Sequence, residues 1–178
     1  MYEHEVFIIR DYVEIGAGPY TIEWREFDDR FPYETWPHMS QGGMRLNPDD
    51  DTEIFFELTG TWLIQTQVAI WVEYTQKTAH SHWDITFSHG GFWSRQRSLG
   101  GRTNSYTNNM VAQVSHVRQV SPASIDAPFR VSVRADTYDN GLIGPFTAVF
   151  EENWTYTHIK FTRVSPDYVD EEQPGQSL

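Results

Sequence analysis

Between Gly60 and Thr75 the chain reads GTWLIQTQVAIWVEYT, with no proline and no glycine after the first residue. Trp62, Ile64, Thr66, Val68, Ile70, Val72 and Tyr74 fall on one side of an extended backbone. Leu63, Gln65, Gln67, Ala69, Trp71, Glu73 and Thr75 fall on the other. This alternation runs far past the roughly five or six residues of an ordinary strand. Helical spacing would scatter the β-branched and aromatic side chains round a whole cylinder, so the stretch reads as a strand. A strand this long crosses the middle of a sheet with its apolar side on the core. Its other side sets Gln beside Leu and Trp, too wet for a core and too apolar for open solvent, and points to contact with another subunit.

The flanking sequence is punctuated at β spacing. Glu5 to Ile9 reads as a short strand, broken by Gly16, Gly18 and Pro19. Tyr20 to Phe27 reads as one strand with Ile22 and Trp24 inward. Asp28 to Asp51 is a long irregular segment whose aromatics, Phe31, Tyr33 and Trp36, suit packing against a surface; Met44 to Leu46 within it makes a brief strand. Thr52 to Leu58 turns Ile54, Phe56 and Leu58 inward. His82 to Ser88 and Phe92 to Ser98 form a hairpin about His89-Gly90-Gly91, where positive φ calls for glycine. From Met110 to Val120 the apolar phase slips from Met110, Ala112 and Val114 to Val117, as a bulge near Ser115 or His116 would make it do. Phe129, Val131, Val133 and Ala135 alternate with polar residues. Pro145 to Glu151 and Asn153 to Val164 form a closing pair. No stretch reads as a helix. The expectation is an all-β chain, a two-sheet antiparallel jelly roll. Residues 1–19 make an N-terminal strand or arm, 20–166 the jelly-roll domain, and 167–178 an acidic tail.

Composition narrows the function classes. A chain of 178 residues can bury about 70% of its unfolded surface in one domain. There is no cysteine, so neither disulfides nor thiolate chemistry are available. The opening MYEHEVFIIR lacks the basic start and cleavage site of a signal peptide, and no run reaches the ~18 apolar residues of a membrane span. A net charge of -12 disfavours phosphate contacts. Neither nucleic acid nor membrane is expected as a partner.

Catalytic constellations are sparse. His80 and His82 share a strand face as metal pairs do, but Asp84 is the only nearby acid and its spacing is wrong for a jelly-roll metal site, so they read as solvated turn histidines. Asp49, Asp50 and Asp51 with Glu53 suit a hard cation such as calcium, though acidic runs before strands are commonly turn formers. Glu53 and Glu57 share a face too far apart for a paired acid and nucleophile. No GxSxG, P-loop, GxGxxG or HExxH is present. Asn153-Trp154-Thr155 is a formal glycosylation sequon inside a strand pattern. No catalytic residue, metal or cofactor is expected.

Several stretches match one known pattern together. Tyr20-Thr21-Ile22-Glu23-Trp24 is followed by a loop and then Gly60-Thr61-Trp62-Leu63-Ile64. Ile85-Thr86-Phe87 precedes the turn at His89-Gly90-Gly91. Phe129-Arg130-Val131-Ser132-Val133 is followed by a polar loop, and Thr157-His158-Ile159-Lys160-Phe161 runs on to Pro166. Over roughly residues 15–166 the chain resembles the globular C1q/tumour-necrosis-factor-like jelly roll, in the version found in bacteriophage head and tail proteins. It departs in its longer N-terminal stretch and in lacking the short turn before Phe129. The resemblance implies a homotrimer. The half-apolar face holding Trp71, and Trp154, Tyr156 and His158 on the last strand, would be its interface; a loop or the tail covering them in a monomer is the alternative. It also implies a non-enzymatic virion protein, made in the host cytoplasm and placed on the capsid surface. There it would decorate or cement a phage head, with the major capsid protein as partner and Phe31, Tyr33 and Trp36 as contacts. The other expectation is a receptor- or glycan-binding head of a fibre or tail protein, with Trp93, Tyr106 and Tyr138 stacking on sugars.

Overall fold

The computed structural model describes residues 4–10, 13–15, 19–26, 42–73, 81–98, 107–137, 146–148 and 157–167. Among these, every regular element is a strand, and the strands form two antiparallel sheets. In chain order they are β1 (His4–Ile9), β2 (Val13–Ile15), β3 (Tyr20–Thr21), β4 (Trp24–Glu26), β5 (Met44–Asn47), β6 (Asp50–Phe56), β7 (Gly60–Glu73), β8 (Ser81–His89), β9 (Phe92–Ser98), β10 (Thr107–Val120), β11 (Phe129–Thr137), β12 (Phe146–Ala148) and β13 (His158–Ser165).

The first sheet is built on β7. β10 pairs along one side of it for its whole length. β13 takes the lower part of the other side and β12 the upper part. The sheet continues through β13 to β1 and β4, and from β12 to β2. The second sheet runs β5-β6-β11-β8-β9, with β3 also on β11.

The core lies between the sheets. Trp62, Ile64, Thr66 and Val68 on β7 are buried, as the alternation predicts. They meet Ile85 and Phe87 from β8, Phe129, Val131 and Val133 from β11, Ile54 and Phe56 from β6, and Ile159 and Phe161 from β13. Phe161 packs edge-on to Phe7, Phe56 and Phe129, with centroids 6.1, 5.7 and 5.3 Å away. Burying each such ring contributes on the order of 2–3 kcal/mol.

Three expectations change. Tyr20 to Phe27 is not one strand: β3 joins the second sheet through β11, and β4 joins the first through β1. The chain crosses between layers at Ile22 and Glu23, whose backbones bond to Val131 and Arg10. That crossing puts both Ile22 and Trp24 into the core, which single-strand alternation also demanded. Second, β10 has no bulge: its register against β7 is continuous from Thr107 to Val120. The phase of the strand is unbroken: His116 and Arg118 occupy inward positions opposite Ile64 and Trp62, while Val117 points outward. Third, β6 ends at Phe56, leaving Leu58 half-buried at the turn into β7. A register shift does occur in β13, between Arg163 and Ser165. The hairpin turn is as expected, with Gly90 at φ 57° and Gly91 at φ 78°.

Candidate interaction face

The second side of β7 lies on the outer surface of the first sheet, and strand pairing assembles its neighbours in rows. Gln67 stands between Gln113 of β10 and His158 of β13. Gln65 stands between Ser115 and Lys160, and Leu63 between Val117 and Thr162. One strand further, Ile8 lies opposite His158 and Val6 opposite Lys160. The Gln113 side-chain amide donates to the Gln67 amide oxygen at 2.6 Å. Gln65, Gln67, Gln113, Ser115, His158 and Lys160 surround a shallow depression of about 240 Å³.

This face is graded. Val6 and Ile8 share its outward register yet are 3% and 1% exposed. Gln65 and Ser115 are exposed, and Val117 is 58% exposed. Lys160 is its one full charge in the central rows, so packing against it requires little desolvation of ions. Nothing in this set makes a nucleophile and base pair; what the face can do is bury polar amides and aliphatic groups against a partner.

Of the residues singled out from sequence for an interface, His158 sits in this face, half-buried and opposite Gln67. Trp71 lies further along β7, its backbone opposite Asn109 and Thr147. The Trp71 side chain, Trp154, Tyr156, Phe31, Tyr33 and Trp36 lie outside the described residues, as do His80, Tyr106, Tyr138 and the Asn153 sequon. Gln113, Ser115, Val117 and Lys160 were missed. The matching lengths of β7 and β10 and the outward Val117 were the available signals.

The acidic run, which the sequence pattern places ahead of a strand beginning at Thr52, instead opens β6 at Asp50 and is occupied by protein donors. Asp50 Oδ1 accepts from the Thr52 amide at 3.0 Å and its hydroxyl at 2.6 Å, which holds the Asp50 carboxyl below its usual range. Asp51 pairs with Arg10. Glu53 accepts from Asn47 Nδ2 at 2.7 Å and pairs with Arg130. Glu57, beyond the end of β6, faces Arg45 at 3.9 Å. Among the described residues no three His, Asp or Glu side chains gather as metal ligands.

One end of the core holds two histidines. His116 lies against Phe87, with centroids 4.4 Å apart, and stacks on Phe129 at 6.3 Å. Both its ring nitrogens are buried without a hydrogen-bond partner among the described residues. His89 Nδ1 accepts from Arg118 Nε at 3.0 Å. Burial first, and the Arg118 charge second, push both imidazoles down to about 4; the Ser124 backbone opposes this at His89. Arg118 also lays its guanidinium 4.5 Å from the centre of the Phe92 ring.

No protein-family model matches the chain, and no curated protein matches it in sequence. Solved structures do match. Murine APRIL at pH 5.0 aligns with 92% of this chain and 100% of its own, at 10% identity and a TM-score of 0.55. Murine APRIL at pH 8.5 aligns over the same shares at 10% identity and a TM-score of 0.53. The fold is a TNF-like jelly roll. Eiger TNF from S. frugiperda aligns over 99% of each chain at 16% identity, with a TM-score of 0.45. At these identities the likeness concerns the path of the chain, and the side chains on the outer faces are this protein's own.

Proposed function

We propose that the protein is a non-enzymatic assembly protein that works as a homotrimer, and that the trimer decorates the capsid of a virion. The observation that carries the trimer is the outer face of β10, β7 and β13. It mixes amides with aliphatic side chains, leaves Val117 58% exposed, and carries few charges. Three copies turning this face to a common axis would bury it, and closed symmetric contacts of this kind are the usual way to hide such a surface. The jelly-roll likeness to tumour-necrosis-factor relatives supports the same geometry. The decorating role rests on the resemblance to bacteriophage proteins and on the 28–51 segment with Phe31, Tyr33 and Trp36, which would grip the major capsid protein. His4–Ile9, Met44–Asn47 and the start of β6 are already paired within the sheets, so the grip would fall to Phe31, Tyr33 and Trp36.

Size-exclusion chromatography with light scattering tests the trimer: the expected mass is three times the 20.8 kDa of one chain. Gln67→Lys would bring three like charges together beside Lys160 and should return the single-chain mass with the β-sheet circular dichroism intact. A wild-type monomer at micromolar concentration overturns the assembly reading. Binding of the purified protein to capsids that lack it tests the decorating role, and failure to bind them overturns it. The second reading, a receptor- or glycan-binding head, is favoured by one observation: Trp93 is 67% exposed on β9.

A further inference from the structure

We propose that the trough beside Trp93, on the outer face of the second sheet, binds a neutral sugar ring. The inference takes its biological setting from the glycan-binding reading, and it does not depend on the trimer, which uses the opposite sheet.

The site is built by strand register. Ser88 of β8 stands directly between Trp93 of β9 and Arg130 of β11. The three residues therefore lie in one row spanning two strand spacings, roughly 10 Å. The Gly90-Gly91 turn closes one end of the row, and Ala127 and Pro128 form a wall beside it. The trough holds about 380 Å³ and opens to solvent. A Cβ on Gly91 would meet nothing within 4 Å, so no side chain rises there to obstruct a ligand.

The chemistry of the row selects the occupant. Trp93 offers a wide apolar ring, 67% exposed, suited to stacking against the C–H face of a pyranose. The Ser88 hydroxyl, half-buried and without a hydrogen-bond partner among the described residues, can both donate and accept. Arg130 supplies further donors at the far end of the row, within reach of a second hydroxyl group. An anion is a poorer fit. Arg130 already faces Glu53, and Arg95, the next outward residue on β9, already faces the buried Asp84. The guanidinium charges are thus compensated. A protein partner is a poorer fit as well. Among the described residues of this sheet, Trp93 and its neighbour Phe92 are the exposed large apolar groups, and Phe92 is partly covered by Arg118. A stable protein interface needs about 1,200 Å² or more.

The test is an array of neutral and sulfated oligosaccharides, followed by saturation-transfer NMR with cellobiose, maltose, lactose and diacetylchitobiose as probes. The expected result is millimolar binding of at least one neutral disaccharide. Trp93→Ala should weaken it by about tenfold or more, Trp93→Phe should keep part of it, and Ser88→Ala should weaken it by a few fold. Trp93 is exposed, so its variants should match wild type in circular dichroism and in mass by light scattering. Absence of neutral-sugar binding overturns the proposal. So does binding that survives Trp93→Ala, or binding restricted to sulfated sugars and abolished by salt. A monomeric wild type that still loses its sugar with Trp93→Ala supports the site while refuting the trimer, so the two can fail separately.

Discussion

Gly60→Ala should be among the most damaging single-atom-scale changes in the molecule. Gly60 opens β7 at φ +133°, where a residue with a Cβ is strained by about 1–3 kcal/mol. A Cβ there would lie 2.3 Å from the Ser165 carbonyl oxygen and 3.1 Å from that of Pro166. Both neighbours are backbone and cannot swing aside. The register shift in β13 is what brings them so close, since Ser165 follows Arg163 in pairing with β7. Moving Ser165 away would break that last pairing and disturb the Arg163 bond to the Thr59 carbonyl, which spans 2.9 Å. One lost hydrogen bond adds about 1 kcal/mol. The gain from a stiffer unfolded chain returns roughly 0.4–1 kcal/mol. The net expectation is a loss of about 1–3.5 kcal/mol, set against the ~5–15 kcal/mol that holds a domain together. Urea denaturation at fixed protein concentration, followed by tryptophan fluorescence, measures it as a lower midpoint with an unchanged slope. Gly91→Ala is the control: its φ is +78° and nothing lies within 4 Å of the added carbon, so only the backbone strain of about 1 kcal/mol applies. Equal losses at the two positions, or a loss under about 1 kcal/mol at Gly60, would refute the close-approach argument.

Further expectations concern the core. His89 and His116 are neutral in the fold, with values of about 4, while in the unfolded chain they titrate near 6.5. The unfolded state therefore takes up protons first, and stability present above pH 6.5 should fall as pH drops toward 4, by about 3 kcal/mol in all after discounting for partial exposure. Urea midpoints at pH 7, 6, 5 and 4 would show it, and a flat profile would count against it. His116→Phe should remove two unpaired buried nitrogens, raise stability by about 1 kcal/mol at pH 7, and reduce that pH dependence to the share carried by His89. Thr66→Val should stabilise by about 1 kcal/mol, because Thr66 Oγ1 is buried without a partner among the described residues; a lower thermal midpoint would contradict this. Phe161→Ala should cost about 3–5 kcal/mol by opening a cavity among Phe7, Phe56 and Phe129. A shift below about 1 kcal/mol would mean the core has collapsed round the gap.

Strong alternation was legible wherever local pattern and layer agreed. Where their side chains are described, β7 and β11 bury alternate residues as their period demands, β8 does so but for the buried Asp84, and the glycines of the β8–β9 turn have the positive φ their sequence suggests. Legibility failed where tertiary placement overrode pattern. Tyr20 to Glu26 alternates like one strand because Ile22 and Trp24 both enter the core, yet its two halves belong to different layers. β10 hid its register because a histidine and an arginine take inward positions, where Phe87 and Phe92 receive them. The outer face was legible only in part. One strand shows its own two sides, and the rows formed by Gln113, Gln67 and His158 exist only after three distant segments pair. Trp93 was visible as an aromatic in a hairpin, but Ser88 and Arg130 join it through register alone.

The pairing of β1 with β13 sets a constraint on biosynthesis. His4 lies opposite Thr162, so a strand that leaves the ribosome early must wait for one that leaves late. Until then β7 also lacks the neighbour on the side that β13 will fill. Contacts between such remote segments slow folding, and the half-made sheet presents bare edges to other nascent chains. Low temperature and slow expression should therefore raise the yield of native protein more than any change of buffer made after synthesis.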